Sequence, residues 1–472
     1  MTTTVVEQQL EDVYCERIEA VERLVLRGRR PRSIGHNARI GEHGPRLSDP
    51  VVRLRTHGGG WGIGWSSLSL ETAQSLVGCT VGELFRMPHG STPAGTCVDL
   101  PLWDLVARLL DLPLFRLLGA RGSRQVPVYD ASIYIDDLEL DDEHARELFT
   151  EEVRSGQSYG YHHFKVKVGA GEEEDARRLT ELAAFFESTL DGQPAITLDG
   201  NERYADLASF VSMLEATARD PLGARLVERV TFIEQPLDRA ATFDLDATAA
   251  MSDLSVIAPV VIDEADGHVD AFARAVALGY RGVSVKNCKG VFRSLLNRGL
   301  VETRGGELFQ TGEDLTNLPA IALQQDLATM CALGVEEVER NGHHYFRGLD
   351  HLPEVEQTSA LDRHADLYTA EVDGVRDSWV VRPDGSATGV RFSGFAEDRR
   401  NFDPFNLDEF SDFDVRNDIR PSRTLRPADP IEFEDGTPAT IAYNGYGYFD
   451  TSELIWDIGS RMYSDEERIN VR

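Results

Sequence analysis

The chain has 472 residues, with 48 Lys and Arg against 80 Asp and Glu, a formal net charge of −32 and 41% hydrophobic residues. Such an acidic balance argues against nucleic acid and anionic membrane as partners, because both need clustered positive surface, and no apolar run approaches the ~18 residues of a membrane span. The five cysteines are odd in number, widely spaced and without a CxxC, and the start MTTTVVEQQLEDVYC lacks a basic and an apolar segment, so reduced thiols, no signal peptide and a cytoplasmic protein are expected.

From residue 12 to about 125 the pattern is α+β. ERIEAVERLVLRG reads as a strand, and the polar loop 29–49 follows with Arg30, Arg32, His36, Asn37, Arg39, His43 and Arg46. VVRLRTHGGGWGIGWSS reads as a strand pair about a glycine turn, and residues 95–120 carry helical apolar spacing broken at Pro113. From Val126 the pattern becomes strand, helix, strand. Short apolar runs begin near 126, 162, 195, 230, 260, 282, 308 and 338, each separated by room for one helix. Eight such runs predict a parallel (β/α)₈ barrel of TIM type, whose chemistry gathers at the C-terminal strand ends.

Only four lysines occur, Lys165, Lys167, Lys286 and Lys289. They fall as pairs in the apolar runs HHFKVKVG and GVSVKNCKG, where a strand interior normally excludes charge. Carboxylates close the neighbouring strands: Asp199 the third, Glu234 the fourth, Asp263 and Glu264 the fifth. Three strands delivering acids to one rim form a hard oxygen cluster suited to Mg²⁺ or Mn²⁺. Strands two and six are opposed on an eight-strand ring, so Lys167 and Lys286 would flank a ligand there, a geometry for moving a proton on and off carbon. Lys165, with the metal, would favour the neutral amine of Lys167.

These pieces, the KxK of KVKV, the Asp of LDGN, the Glu of IEQP, the DE of VIDEA and the lysine of VSVKN, resemble the enolase superfamily in the branch around mandelate racemase and muconate lactonizing enzyme. The resemblance spans residues 12 to 396. It implies an N-terminal α+β cap (1–125), a catalytic barrel (126–352), a return to the cap (353–396) and, beyond the family length, a C-terminal extension (397–472). It implies Mg²⁺ held by Asp199, Glu234 and Asp263, with Lys167 and Lys286 as acid and base and Lys165 assisting carboxylate binding. Glu264 then supports Asp263, and Glu313 of QTGED takes the place of a glutamate that cycloisomerase-like members keep near the second lysine.

Asn201 and Asn287 are candidates for contacts to metal-bound water or substrate, or for helix caps. His162 and His163 read as packing residues; of His343 and His344, strand alternation sends one inward, and His343 is taken as a substrate contact. KNCKGVF lacks the family's double glycine, which leaves the path of that loop open. The expected activity is abstraction of an α-proton from a small carboxylate substrate by an acid-sugar or hydroxy-acid dehydratase or a racemase or epimerase, in a homo-oligomer. The alternatives are a cycloisomerase or an amino-acid or dipeptide epimerase, and, from other classes, a glycoside hydrolase or a non-catalytic barrel scaffold.

Overall fold

The structure is a computed structural model that describes residues 3–29, 46–87, 90–110, 125–134, 163–190, 192–313 and 337–340, together with short pieces between and beyond them. Eight parallel strands form the central sheet: β1 (Gln125–Tyr134), β2 (His163–Lys167), β3 (Ala195–Asp199), β4 (Val230–Glu234), β5 (Val260–Ile262), β6 (Gly282–Val285), β7 (Phe309–Glu313) and β8 (Glu337–Arg340). Each pairs with its neighbour in chain order, and β8 returns to β1 with Val338 opposite Val128 and Glu339 opposite Tyr129. The sheet is therefore a closed barrel, as the eight apolar runs predicted. The eighth strand ends at Arg340 in the described residues; His343 and His344 lie outside them, as does His162.

Alternation along β2 decides what faces inward. Phe164 stacks on Phe186 of the helix Glu172–Thr189 with ring centroids 5.9 Å apart, so Phe164 and Val166 point to the outer layer. Lys165 and Lys167, on the other face, point into the barrel. That helix buries Leu179, Leu182, Phe185 and Phe186 on one face, a 3.6-residue pattern, and carries four acids in its first turn, where the helix dipole favours them. Asp175 ties the preceding loop by accepting the N–H groups of Gly169 and Ala170 at 2.7 and 3.0 Å, and the Tyr204 hydroxyl at 2.6 Å.

The N-terminal unit begins with a helix, Thr3–Cys15, where the sequence reading saw only a polar start. A strand Ile18–Arg29 then pairs antiparallel with Arg46–Thr56, which pairs with Trp61–Trp65 across the glycine turn. The helix Asp99–Leu109 lies on the last strand so closely that a Cβ on Gly62 would sit 2.3 Å from the Leu105 nitrogen. Asp104 of that helix accepts the Ile63 N–H at 2.8 Å. Gln325, from the barrel side, donates to the Ile63 carbonyl at 2.9 Å and accepts the Trp65 N–H at 3.3 Å. The edge strand of this N-terminal sheet is thus satisfied by two side chains, one from its own helix and one from the barrel.

Within the predicted return segment, Gly389–Arg391 pairs antiparallel with Gln125–Pro127 at the start of β1. It is Ile469–Val471, at the far end of the extension, that pairs with Val21–Arg23 of the cap sheet. Ala442–Tyr443 and Phe449–Asp450 pair about the expected NGYGYFD turn. Most of the remaining 341–472 segment, the break at Pro113 and the greater part of the 29–49 loop, including Arg30, Arg32, Arg39 and His43, lie outside the described residues.

Candidate active site

Register places the chemistry at one end of the barrel. Lys167 pairs with Asp199, Asp199 with Glu234, and Glu313 with Glu339 across the strand ends. Lys286 and Asp263 follow immediately on β6 and β5. All four lysines of the chain meet there. Lys165, with a fully buried side chain, has its Nζ 2.8 Å from Glu234 and 3.3 Å from Asp199, and is in closer contact still with Glu339. Lys167 lies 2.5 Å from Asp199 and 3.7 Å from Glu339. Lys286 bridges Asp263 at 2.7 Å and Glu313 at 2.6 Å, and Lys289 takes the other Asp263 oxygen at 2.8 Å.

Six carboxylates, Asp199, Glu234, Asp263, Glu264, Glu313 and Glu339, lie in the field of these four lysines. The titration shifts follow the partners. Burial would raise Asp199, Asp263 and Glu313, but the lysines beside them hold all three below the usual range. Glu234 is pushed up to about 7 by burial and by its acidic neighbours, with Lys165 opposing. Glu339 is pushed up to about 8 by burial and by Glu313. Burial and Asp263 hold the Glu264 carboxyl well above its ordinary value. Burial disfavours the Lys286 ammonium, yet Asp263 and Glu313 raise its pKa well above that of a free lysine.

Among the described residues, the carboxylates whose oxygens lie within 4.8 Å of one another are Glu234, Asp263 and Glu313. Asp199, of the expected set, pairs with Lys167 and Lys165, much as Asp263 pairs with Lys286 and Lys289. The donor set fits a hard divalent cation. Both Glu234 oxygens are buried without a hydrogen-bond donor, although Lys165 supplies charge from 2.8 Å. All the donors are carboxylate oxygens, the hard ligands such a cation takes.

The remaining sequence candidates divide. Asn201 has a positive φ of 43° and meets Asp199 through its main-chain N–H at 2.9 Å. Asn287 is buried and opens the single turn Asn287–Lys289 that follows Lys286. That turn is closed by Gly290 at φ 96°, which supplies the path that KNCKGVF left open without a double glycine. Asp99 of the cap secures the next helix by accepting the Val291 N–H at 2.7 Å. His163 packs at the opposite end of β2, its ring nitrogens on Thr197 at 2.7 Å and Glu337 at 3.1 Å, a structural role as expected.

Three residues went unassigned in the sequence. Glu339 joins Lys165 and Lys167; the signal was EVER, which repeats the charge and valine alternation of KVK. Lys289 was visible only as the partner of Lys286. Gln235, in a strained φ of 34°, accepts the Asp263 and Ala265 N–H groups and donates to the Leu237 carbonyl and the Thr242 hydroxyl.

Residues 148–392 match the family model described as Enolase C-terminal domain-like. An N-succinyl-L-Arg/Lys racemase of Bacillus cereus is 24% identical over 43% of this chain, and the match spans only 46% of that relative's length. An L-Lys-D/L-Arg epimerase of Methylococcus capsulatus is 29% identical over 56% of this chain and 74% of its own. A mandelate racemase/muconate lactonizing protein from Geobacillus sp. Y412MC10, solved with magnesium/tartrate, superposes with a TM-score of 0.54 at 22% identity, covering 70% of this chain and 85% of that one. No helix among the described residues is long and apolar enough to cross a membrane.

Proposed function

The chain belongs to the enolase C-terminal domain-like family, and from that premise we propose that it is an enolase-superfamily enzyme that moves the α-proton of a small carboxylate substrate, as a racemase or epimerase. On this reading residues 1–125 cap a catalytic barrel formed by 126–352. One observation carries it. Lys167 and Lys286 rise from β2 and β6 of a closed eight-strand ring, on opposite sides, each ion-paired to the same acidic centre. A carbon held between them offers one face to each lysine.

Lys167, once it has released the proton it holds against Asp199, takes the α-hydrogen as a proton on its neutral amine, and the C–H electron pair stays on the substrate, spread into its carboxylate. Lys286, the ammonium paired with Asp263 and Glu313, returns a proton to the other face. The configuration at carbon inverts, and the two lysines have exchanged protonation states, ready for the reverse direction. Lys165 provides fixed positive charge toward the substrate carboxylate, with Glu339 and Asp199 holding its position. A Mg²⁺ or Mn²⁺ ion, which Glu234, Asp263 and Glu313 would hold with Asp199 close by, would supply the charge that stabilises the doubly negative enolate. The magnesium/tartrate in the Geobacillus neighbour supports a hard cation beside a hydroxy-acid in this fold.

Dehydration is the second reading. It uses the same first step, and the Lys286 ammonium in its double ion pair favours it as the acid that protonates a departing hydroxide. NMR in D₂O with Mg²⁺ and a panel of hydroxy acids, sugar acids and amino-acid derivatives tests both. Deuterium entering the α-position, and its loss in Lys167→Ala, is the expected result. Exchange persisting in Lys167→Ala would remove that lysine from the mechanism.

A further inference from the structure

The segment that carries Lys286 is short. Lys286 follows the last residue of β6, the single turn Asn287–Lys289 comes next, and the helix Val291–Arg304 begins two residues after that turn. A helix leaves the N–H groups of its first turn without partners of its own, and a side-chain oxygen just before it usually takes one of them. Here that position is Gly290, which has no side chain, and the first turn VFRS brings no acid. Asn287 does not stand in, since among the described residues neither its Oδ1 nor its Nδ2 has a hydrogen-bond partner.

The cap comes from elsewhere in the chain. Asp99, 192 residues away at the start of the helix Asp99–Leu109, accepts the Val291 N–H on Oδ2 at 2.7 Å. A Cβ on Gly290 would lie 3.6 Å from that same oxygen, so the carboxylate stands where a capping side chain of residue 290 would reach. Its other oxygen accepts the Ser91 hydroxyl at 2.5 Å, which fixes the carboxylate within the N-terminal unit. Burial pushes the Asp99 carboxyl above its usual range, with Ser91 and Val291 opposing. Charged or neutral, Oδ2 remains an acceptor.

On the barrel side Lys289 anchors the same turn, donating to Asp263 and to the Ser284 carbonyl, both at 2.8 Å. The turn is therefore held from within by Lys289 and from the N-terminal unit by Asp99, and Lys286 leads directly into it. A reacting group displaced by about 1 Å can lose about 10²-fold in rate.

We propose that Asp99 is a positioning residue for Lys286: by capping the barrel helix from the N-terminal unit, it makes the place of the lysine depend on how that unit is seated. The inference rests on the proton-transfer reading, which gives Lys286 its task.

A chain with four lysines allows a test that needs no substrate. Full-length protein carrying ¹³C at the lysine Cε gives one side-chain NMR signal for each, and Lys286→Met identifies that of Lys286. In Asp99→Ala the Lys286 signal should shift or broaden, while those of Lys165 and Lys167 on β2 hold their places. α-Deuterium exchange on the panel of hydroxy acids, sugar acids and amino-acid derivatives should slow by about 10–10²-fold. Asp99→Asn keeps an oxygen for the Val291 N–H and should restore both readouts. If Asp99→Ala does not fold, Ser91→Ala, which releases one carboxylate oxygen, should move the same signal less far. An unmoved Lys286 signal in the folded variant, a common displacement of all four signals, or an asparagine variant as impaired as the alanine one overturns the proposal. If Lys286 stays in place while the wild type exchanges α-protons, the tie to Asp99 falls and proton transfer stands. If Lys286 moves and asparagine restores it, yet the wild type exchanges no probe, the proton-transfer reading falls and the tie stands.

Discussion

The side-chain oxygen of Gln235 accepts the main-chain N–H of Asp263 at 2.7 Å, so the end of β4 fixes the end of β5. The same oxygen takes the Ala265 N–H at 3.1 Å, and the amide nitrogen is itself held by Leu237 and Thr242. Replacing Gln235 with Leu strands two buried N–H groups, at about 1–3 kcal/mol each. The expected outcome is a lower melting temperature together with weaker Mg²⁺ binding, read by thermal denaturation and by calorimetric titration. Loss of stability with unchanged metal affinity would show that the contact does not position Asp263.

Lys286 is the shared counter-ion of Asp263 and Glu313. In Lys286→Met those carboxylates lose a competitor for a dication, so Mg²⁺ affinity should hold or rise while α-proton transfer falls by about 10²–10⁴-fold. Metal titration and deuterium exchange on one preparation separate the two effects. A parallel fall of both would point to collapse of the centre.

The metal-free protein should lose stability as pH rises from about 5 to 8. Glu234 and Glu339, pushed up to about 7 and about 8, keep protons in the folded state at pH values where an unfolded glutamate has released them. The folded state therefore binds more protons across that window, and unfolding free energy falls with pH, by at most about 1.4 kcal/mol per unit for each group. The effect of these two groups is complete above their folded-state values. Denaturant midpoints measured at several pH values in EDTA should show the slope, and saturating Mg²⁺ should flatten it by favouring the ionised carboxylates.

Gly62→Ala should destabilise the cap. A Cβ there meets the Leu105 nitrogen at 2.3 Å and the Pro101 carbonyl oxygen at 2.5 Å, both main-chain atoms of a packed helix. Overpacking of this kind costs about 1–3 kcal/mol. Gly267→Ala, with open space around its Cβ, is the matched control and should leave the melting temperature nearly unchanged.

The barrel was legible because its strands are short apolar runs at even spacing and because two of them contain lysines that apolar packing alone does not explain. The acidic rim was legible for the same reason, as Asp199, Glu234 and Asp263 each close a short, largely apolar run. What strand order could not convey is side-chain reach. Glu313 from β7 lies with Glu234 and Asp263, a closeness that its position in the chain does not announce, and Asp199 meets Lys167 at 2.5 Å. Glu339 went unread because a glutamate in a chain of 80 acids carries little information until its lysine partner is known. The Gln235 contacts depend on a backbone angle that no residue pattern announces.

The confinement of lysine to one place also makes the chain unusual toward reagents. Every side-chain amine it possesses sits in the barrel mouth, with exposures of 0, 9, 12 and 12% for Lys165, Lys286, Lys167 and Lys289. An acylating label or a lysine-specific protease, which on most proteins is consumed by the surface, finds its only side-chain targets here in the catalytic chamber. Modification rates at these four positions thus become a direct gauge of how often the chamber opens, and of what closes it.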